Sequence, residues 1–160
     1  MTFPGRRREA SDVWLTPPEI IQDLGPFNLD PCAAPEPRPW PTAARHYVEA
    51  DDGLYQPWDG FIWLNPPYGP ETWRWLSRLA GHADGGIALT FARTETVGFQ
   101  DHGFRKATGM LFLRGRLAFC TPDGRSGQRA PAPSVLIGYT DEGLRRLSQS
   151  RLDGYLVVVR

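Results

Sequence analysis

The order of apolar patterns in this chain predicts an α/β domain built on a mostly parallel sheet, with a C-terminal antiparallel hairpin. Two observations carry that prediction. In the middle of the chain, short apolar runs of strand character alternate with segments of helical spacing, the pattern that joins parallel strands through crossovers. Later, two apolar runs separated by a Gly-, Pro- and Ser-rich stretch read as a long hairpin. At 160 residues the chain has the length of one compact domain with a sizeable core, expected over 12–160 and preceded by a flexible basic arm at 1–11.

The basic arm carries Arg6, Arg7 and Arg8, with phosphates or solvent as their alternatives. Thr16-Pro17-Pro18-Glu19 then reads as a helix start, with Thr16 as N-cap, Pro17 at the first helical position and Glu19 closing a capping box. That helix is expected to end near Leu24, at Gly25-Pro26. Phe27 to Asp30 reads as a short strand with an acid at its carboxyl end, 35–42 as a Pro-rich loop, and Arg45 to Glu49 as an edge strand. Phe61 to Leu64 is a buried strand, and Glu71 to Ala80 a helix closed by Gly81, on which Trp73 and Trp75 cannot both face the core. Gly86 to Phe91 is a further buried strand, 96–107 a helix, and Met110 to Leu113 a strand that Arg114 to Phe119 continues. A loop over 121–133 leads to the strand Ser134 to Tyr139. Thr140-Asp141-Glu142 then caps a last helix reaching Leu152, and Tyr155 to Val159 ends the chain as a strand.

Composition excludes several classes of function. With 41% hydrophobic and 22% charged residues the chain reads as globular, and no apolar run approaches the ~20 residues of a membrane span. The first residues lack the apolar core of a secretory leader, so a cytoplasmic location is expected. Cys32 and Cys120 have no metal-ligand spacing, so no metal is expected and a zinc deaminase is disfavoured. The net charge of zero argues against bulk attraction to nucleic acid, yet the charge is unevenly distributed. Acids dominate 9–72, whereas 93–129 is basic through Arg93, Arg105, Lys106, Arg114, Arg116, Arg125 and Arg129; the alternatives there are a shared basic face or separately solvated arginines.

Chemistry concentrates at Asn65-Pro66-Pro67-Tyr68. Two prolines end the strand before it, remove two backbone donors and hold Asn65 extended. Carbonyl and carboxamide acceptors beside an aromatic ring suit a planar molecule bearing an amine, such as a nucleobase, although a stiff turn is the other reading of these four residues. Asp30-Pro31 and Asp51-Asp52 also follow strands, and ligands of open α/β sheets sit beyond carboxyl ends. Three such positions on consecutive strands favour a shared crevice over three separate turns.

These residues resemble the phage-type, Dam-like DNA N6-adenine methyltransferases. The resemblance rests on Trp14-Leu15-Thr16-Pro17, Phe27-Asn28-Leu29-Asp30-Pro31-Cys32-Ala33, Asp52-Gly53-Leu54 with Trp58, Trp63-Leu64-Asn65-Pro66-Pro67-Tyr68-Gly69, and Gly115-Arg116-Leu117-Ala118-Phe119. It implies a Rossmann-like methyltransferase sheet, S-adenosyl-L-methionine as methyl donor, adenine in DNA as substrate, and a phage or prophage origin in a bacterial cytoplasm. By position, Asn65, Pro66, Pro67 and Tyr68 would form the catalytic site. Asp30, Pro31 and Cys32, together with Trp14, Thr16 and Pro17, would hold the methionine end of the cofactor, and Asp51, Asp52 and Leu54 its ribose and adenine. Arg93, Arg114 and Arg116 would meet DNA phosphates, and Phe119 would face the base opposite Tyr68, unless it is hairpin core.

No Gly-x-Gly loop follows Asp30, which leaves the close approach of a cofactor to Ala33 and Ala34. The segment between Asp30 and Asn65 is too short for a target-recognition insert. Recognition of the DNA sequence is therefore expected from 93–133, from a homodimer partner or from an accessory specificity partner. The competing readings are an amino-methyltransferase acting on RNA or on a protein glutamine, and a nucleic-acid-binding relative without catalysis.

Overall fold

The computed structural model describes residues 13–160; the expected basic arm at 1–11 lies outside them. A seven-stranded sheet runs through the molecule. Its strands are β1 (Leu29–Asp30), β2 (Arg45–His46), β3 (Ile62–Leu64), β4 (Gly86–Phe91), β5 (Gly109–Leu113), β8 (Ser134–Tyr139) and β9 (Gly154–Val158), in spatial order β2-β1-β3-β4-β8-β5-β9. The first four lie parallel, with Leu29 opposite Ile62 and Leu64 opposite Ala88. From β4 onward every neighbour is antiparallel. The sheet is therefore mixed rather than mostly parallel. The expected hairpin of β5 and β8 forms, but β8 inserts between β4 and β5, and β9 becomes the antiparallel edge.

Strand periodicity divides the core into two layers. Trp63 of β3 and Ile87, Leu89 and Phe91 of β4 point to one face, where Ile20, Leu24 and Phe27 cover them. Ile62, Leu64 and Ala88 point to the other, against Trp75, Leu76 and Leu79. Two-sided burial is why these strands read as continuous apolar runs. Helix α1 (Pro18–Leu24) lies on the first face and α2 (Thr72–Ala80) on the second. On α2, Trp75 is buried and Trp73 half-buried, the division its spacing predicts.

Four local expectations are corrected. Thr16 does not cap α1: Pro17 occupies the N-cap position without a side-chain hydrogen bond, and the Thr16 hydroxyl serves Asn65 instead. The stretch expected as a helix over 96–107 is a π-helical segment, Phe99–Phe104, which directs Phe99 into the core. Arg114 to Phe119 does not prolong β5. The chain turns at Gly115, which has a positive φ, and β6 (Ala118–Cys120) pairs with β7 (Ser126–Arg129) inside the expected loop. Finally, α3 (Thr140–Ser148) has Tyr139 as its N-cap residue and stops short of Leu152.

Candidate active site

Strand order reverses between β1 and β3: from β1 the chain moves outward to β2, then returns to place β3 on the other side of β1. The carboxyl ends of strands flanking such a reversal diverge and leave a crevice. Asp30 ends β1 and Asn65 follows β3, and both line one cleft with Trp14, Leu15, Thr16, Cys32, Arg38, Trp40, Thr42 and Trp63. The β6–β7 ribbon closes back on this end, because Leu15 and Cys120 exchange backbone hydrogen bonds of 2.8 and 2.9 Å.

Asp30 is 3% exposed. Its Oδ1 accepts from the Cys32 backbone at 3.0 Å, and its Oδ2 accepts from the Thr42 hydroxyl. Burial raises its pKa to about 6, opposed by those two bonds and by Arg38. Beside it, burial and then the Asp30 charge push the Cys32 thiol up to about 12, which keeps it protonated. Neither cysteine is disulfide-bonded.

Asn65 is 8% exposed, and its Nδ2 donates to the Thr16 hydroxyl at 3.1 Å. Its Oδ1 is buried with no hydrogen-bond partner among the described residues. The following loop is held by a residue with no sequence signature, Thr72: its hydroxyl donates to the Pro67 carbonyl at 2.6 Å and accepts from the Gly69 amide at 3.2 Å. Gly69 itself has φ +132°, a backbone conformation that a side chain would strain. The Tyr68 ring stacks on Phe91, with centroids 3.8 Å apart and planes 4° from parallel. Arg93 lies over the other ring of that pair, its Cζ 6.0 Å from the Phe91 centroid. Phe91 ends the strand next to β3, a neighbour relation visible only once β3 and β4 are paired.

The remaining residues singled out in the sequence are spread more widely. Gly53 packs so closely on the Pro31 carbonyl that a Cβ would come within 2.0 Å of it, which sets the Asp52-Gly53-Leu54 turn beside the Asp30 turn. Asp51 and Asp52 are nevertheless exposed, and Asp51 caps its own turn through the Val48 amide at 2.8 Å. Leu54 lines a second, open groove with Tyr55, Trp73 and Arg78, outside the Asp30–Asn65 cleft. Phe119 is fully buried and presents no face to a ligand in this conformation. The basic residues divide. Arg93, Arg114 and Arg116 follow the carboxyl ends of β4 and β5, on the site's side of the sheet, whereas Arg105 and Lys106 precede β5 at the opposite end.

The fold and this site define an open α/β sheet with a buried acid and a buried carboxamide at the reversal of strand order. The chain belongs to the DNA N-6-adenine-methyltransferase (Dam) family, whose model matches residues 5–147. Comparison with curated proteins and with solved structures returns no match. Family membership implies, in general terms, methylation of adenine N6 in DNA with S-adenosylmethionine as donor. Among the described residues no helix is long and apolar enough to cross a membrane, and no group of three or more His, Cys, Asp or Glu is arranged to hold a metal ion.

Proposed function

We propose that the chain is a site-specific enzyme that methylates the N6 amine of an adenine flipped out of DNA, with Asn65, Pro66, Pro67 and Tyr68 as the catalytic site. The supporting observation is the Asn65 carboxamide, whose Nδ2 is held by Thr16 while its buried Oδ1 has no donor among the described residues. Such an acceptor costs about 1–3 kcal/mol, which an incoming amine removes. The sheet, with its crevice where strand order reverses, is read as a reduced Rossmann-like methyltransferase sheet.

When bound, S-adenosyl-L-methionine supplies a methyl group on an electrophilic sulfonium. The lone pair of adenine N6 is delocalised into the ring and attacks poorly. Asn65 Oδ1 and the Pro66 carbonyl, each accepting from the amine, favour a tetrahedral nitrogen and fix its direction of attack. Deprotonation before transfer is unnecessary, since the proton is acidic once the methyl is attached and can leave to water. The buried thiol of Cys32 and the phenol of Tyr68, both raised in pKa by burial, are poor bases to begin with. Flipping costs a few kcal/mol, of which stacking returns about 1–3 kcal/mol. The base is assigned to stack beside the Tyr68–Phe91 pair. Arg93, Arg114 and Arg116 are assigned to phosphates, and Phe119 would join the stack only if β6 shifts.

The residues fit the cofactor in chemistry. Asp30 offers a carboxylate to its ammonium, flanked by Trp14, Thr16, Pro17, Pro31 and Cys32, and the adjoining turn offers Asp51 and Asp52 to ribose hydroxyls; Leu54, which lines the neighbouring groove, would meet the adenine only where the nucleoside reaches over that turn. In volume the cleft is smaller, about 30 Å³, room for one or two waters. On this reading the 35–42 loop opens for binding; among the described residues Trp40, on the Thr16 carbonyl, and Thr42, on Asp30, tie it across the cleft.

Two predictions follow from this geometry. Thr16→Val removes the hydroxyl that holds Asn65, so single-turnover methyl transfer at saturating cofactor should fall about tenfold or more. Because Asp30 is held near pKa 6, cofactor affinity should rise as pH increases through about 6 and then level off. Protonated Asp30 cannot pair with an ammonium, and an Asp30→Asn protein should lack that step. The reading as a whole is tested by offering labelled cofactor with duplex DNA, RNA or glutamine peptides. Transfer to DNA alone is expected, and transfer confined to RNA or peptide would overturn it.

A further inference from the structure

The Asp30–Asn65 cleft contains charge of both signs. Among its described lining residues Asp30 is the only acid and Arg38 the only base. His46, close by, does not act as a second cation: its Nε2 accepts from the Thr42 and Ala43 amides at 3.2 and 3.3 Å, so that nitrogen carries no proton. Arg38 sits in the Pro-rich loop, where its neighbours Glu36, Pro37 and Pro39 are exposed, yet its own side chain is only 11% exposed. Nη1 donates to the Ala34 carbonyl at 2.6 Å, and Nη2 pairs with a Glu36 carboxylate oxygen at 2.6 Å. A guanidinium has more N–H donors than these two partners occupy.

We propose that Arg38 binds the α-carboxylate of the cofactor's methionine end while Asp30 binds its ammonium, a two-point clamp that selects the zwitterion. The inference rests on the cofactor reading above and assigns to this chain a binding residue that its motifs do not include. A carboxylate already pairs with the guanidinium, but it belongs to Glu36, which is 70% exposed and can turn to solvent when a ligand carboxylate arrives. A ligand carboxylate arriving from the cleft side would meet the same planar fork in a drier setting, where a charge-assisted bond is stronger. Placement supports the assignment: both charges line the same cleft, one at the end of β1 and one on the Pro-rich loop.

The test compares S-adenosylmethionine with its decarboxylated analogue, which keeps the ammonium, sulfonium and nucleoside but lacks the carboxylate. Calorimetry on the full chain should show the complete cofactor binding about 10- to 100-fold more tightly. In Arg38→Met that preference should fall to within about threefold, and Arg38→Lys, which keeps charge but loses the fork, should be intermediate. Circular dichroism and thermal unfolding establish that each variant is folded; if Arg38→Met is not, the intermediate preference of Arg38→Lys carries the test. An unchanged preference in folded Arg38 variants would overturn the clamp and leave the cofactor assignment standing. Failure of the wild-type chain to bind either compound would overturn both.

Discussion

Asn65→Ala is expected to lower kcat for methyl transfer about a thousandfold, while calorimetric affinity for the cofactor stays within about threefold of wild type. The asymmetry follows from where the carboxamide acts. In the proposed mechanism its oxygen meets the attacking amine, whose charge changes during transfer, and it makes no assigned contact with the cofactor's amino-acid end. Folding should scarcely register the change: among the described residues Oδ1 is a buried acceptor without a partner, so the truncation removes a desolvation burden along with the Thr16 bond. A variant with near wild-type turnover would remove Asn65 from the catalytic site.

Asp30→Asn is expected to separate stability from binding in the opposite direction. Burial raises the Asp30 pKa from 3.8 to about 6, so folding favours the neutral form relative to the unfolded chain, although the carboxylate still predominates above pH 6. The stability linked to this group is fully present below about pH 4 and is lost as pH rises through about 6. A shift of that size amounts to on the order of 3 kcal/mol above pH 7. Asn keeps the shape and avoids the buried charge, so thermal unfolding at pH 8 should move to higher temperature, while cofactor affinity falls about a hundredfold. Equal affinity in the variant would exclude Asp30 from the cofactor site.

Legibility in the sequence followed the range of the interactions concerned. The run Gly86 to Phe91 and the spacing of Trp75, Leu76 and Leu79 announce β4 and α2, because burial on two faces or on one stripe writes itself into consecutive residues. The insertion of β8 between β4 and β5 does not, since the register of Phe91 with Ser134 depends on residues far apart in the chain. Polar β7 reads as loop because pairing with β6, rather than apolar content, makes it a strand. The same distinction holds at the candidate site. Asp30 and Asn65 each end an apolar run before proline and stand out locally. Thr42 and Phe91 acquire their positions from Asp30 and Tyr68 in other segments, Thr72 and Arg38 make local bonds that no motif announces, and Thr16, whose local pattern spells a cap, is taken instead by Asn65 in a contact spanning 49 residues of chain.

The most direct test of the account is nucleoside analysis of DNA incubated with the wild-type chain and labelled S-adenosylmethionine. The Asn65 site predicts label in N6-methyladenine, and none from Asn65→Ala. Label in a methylated cytosine, or N6-methyladenine formed equally well by the Asn65→Ala protein, would contradict it.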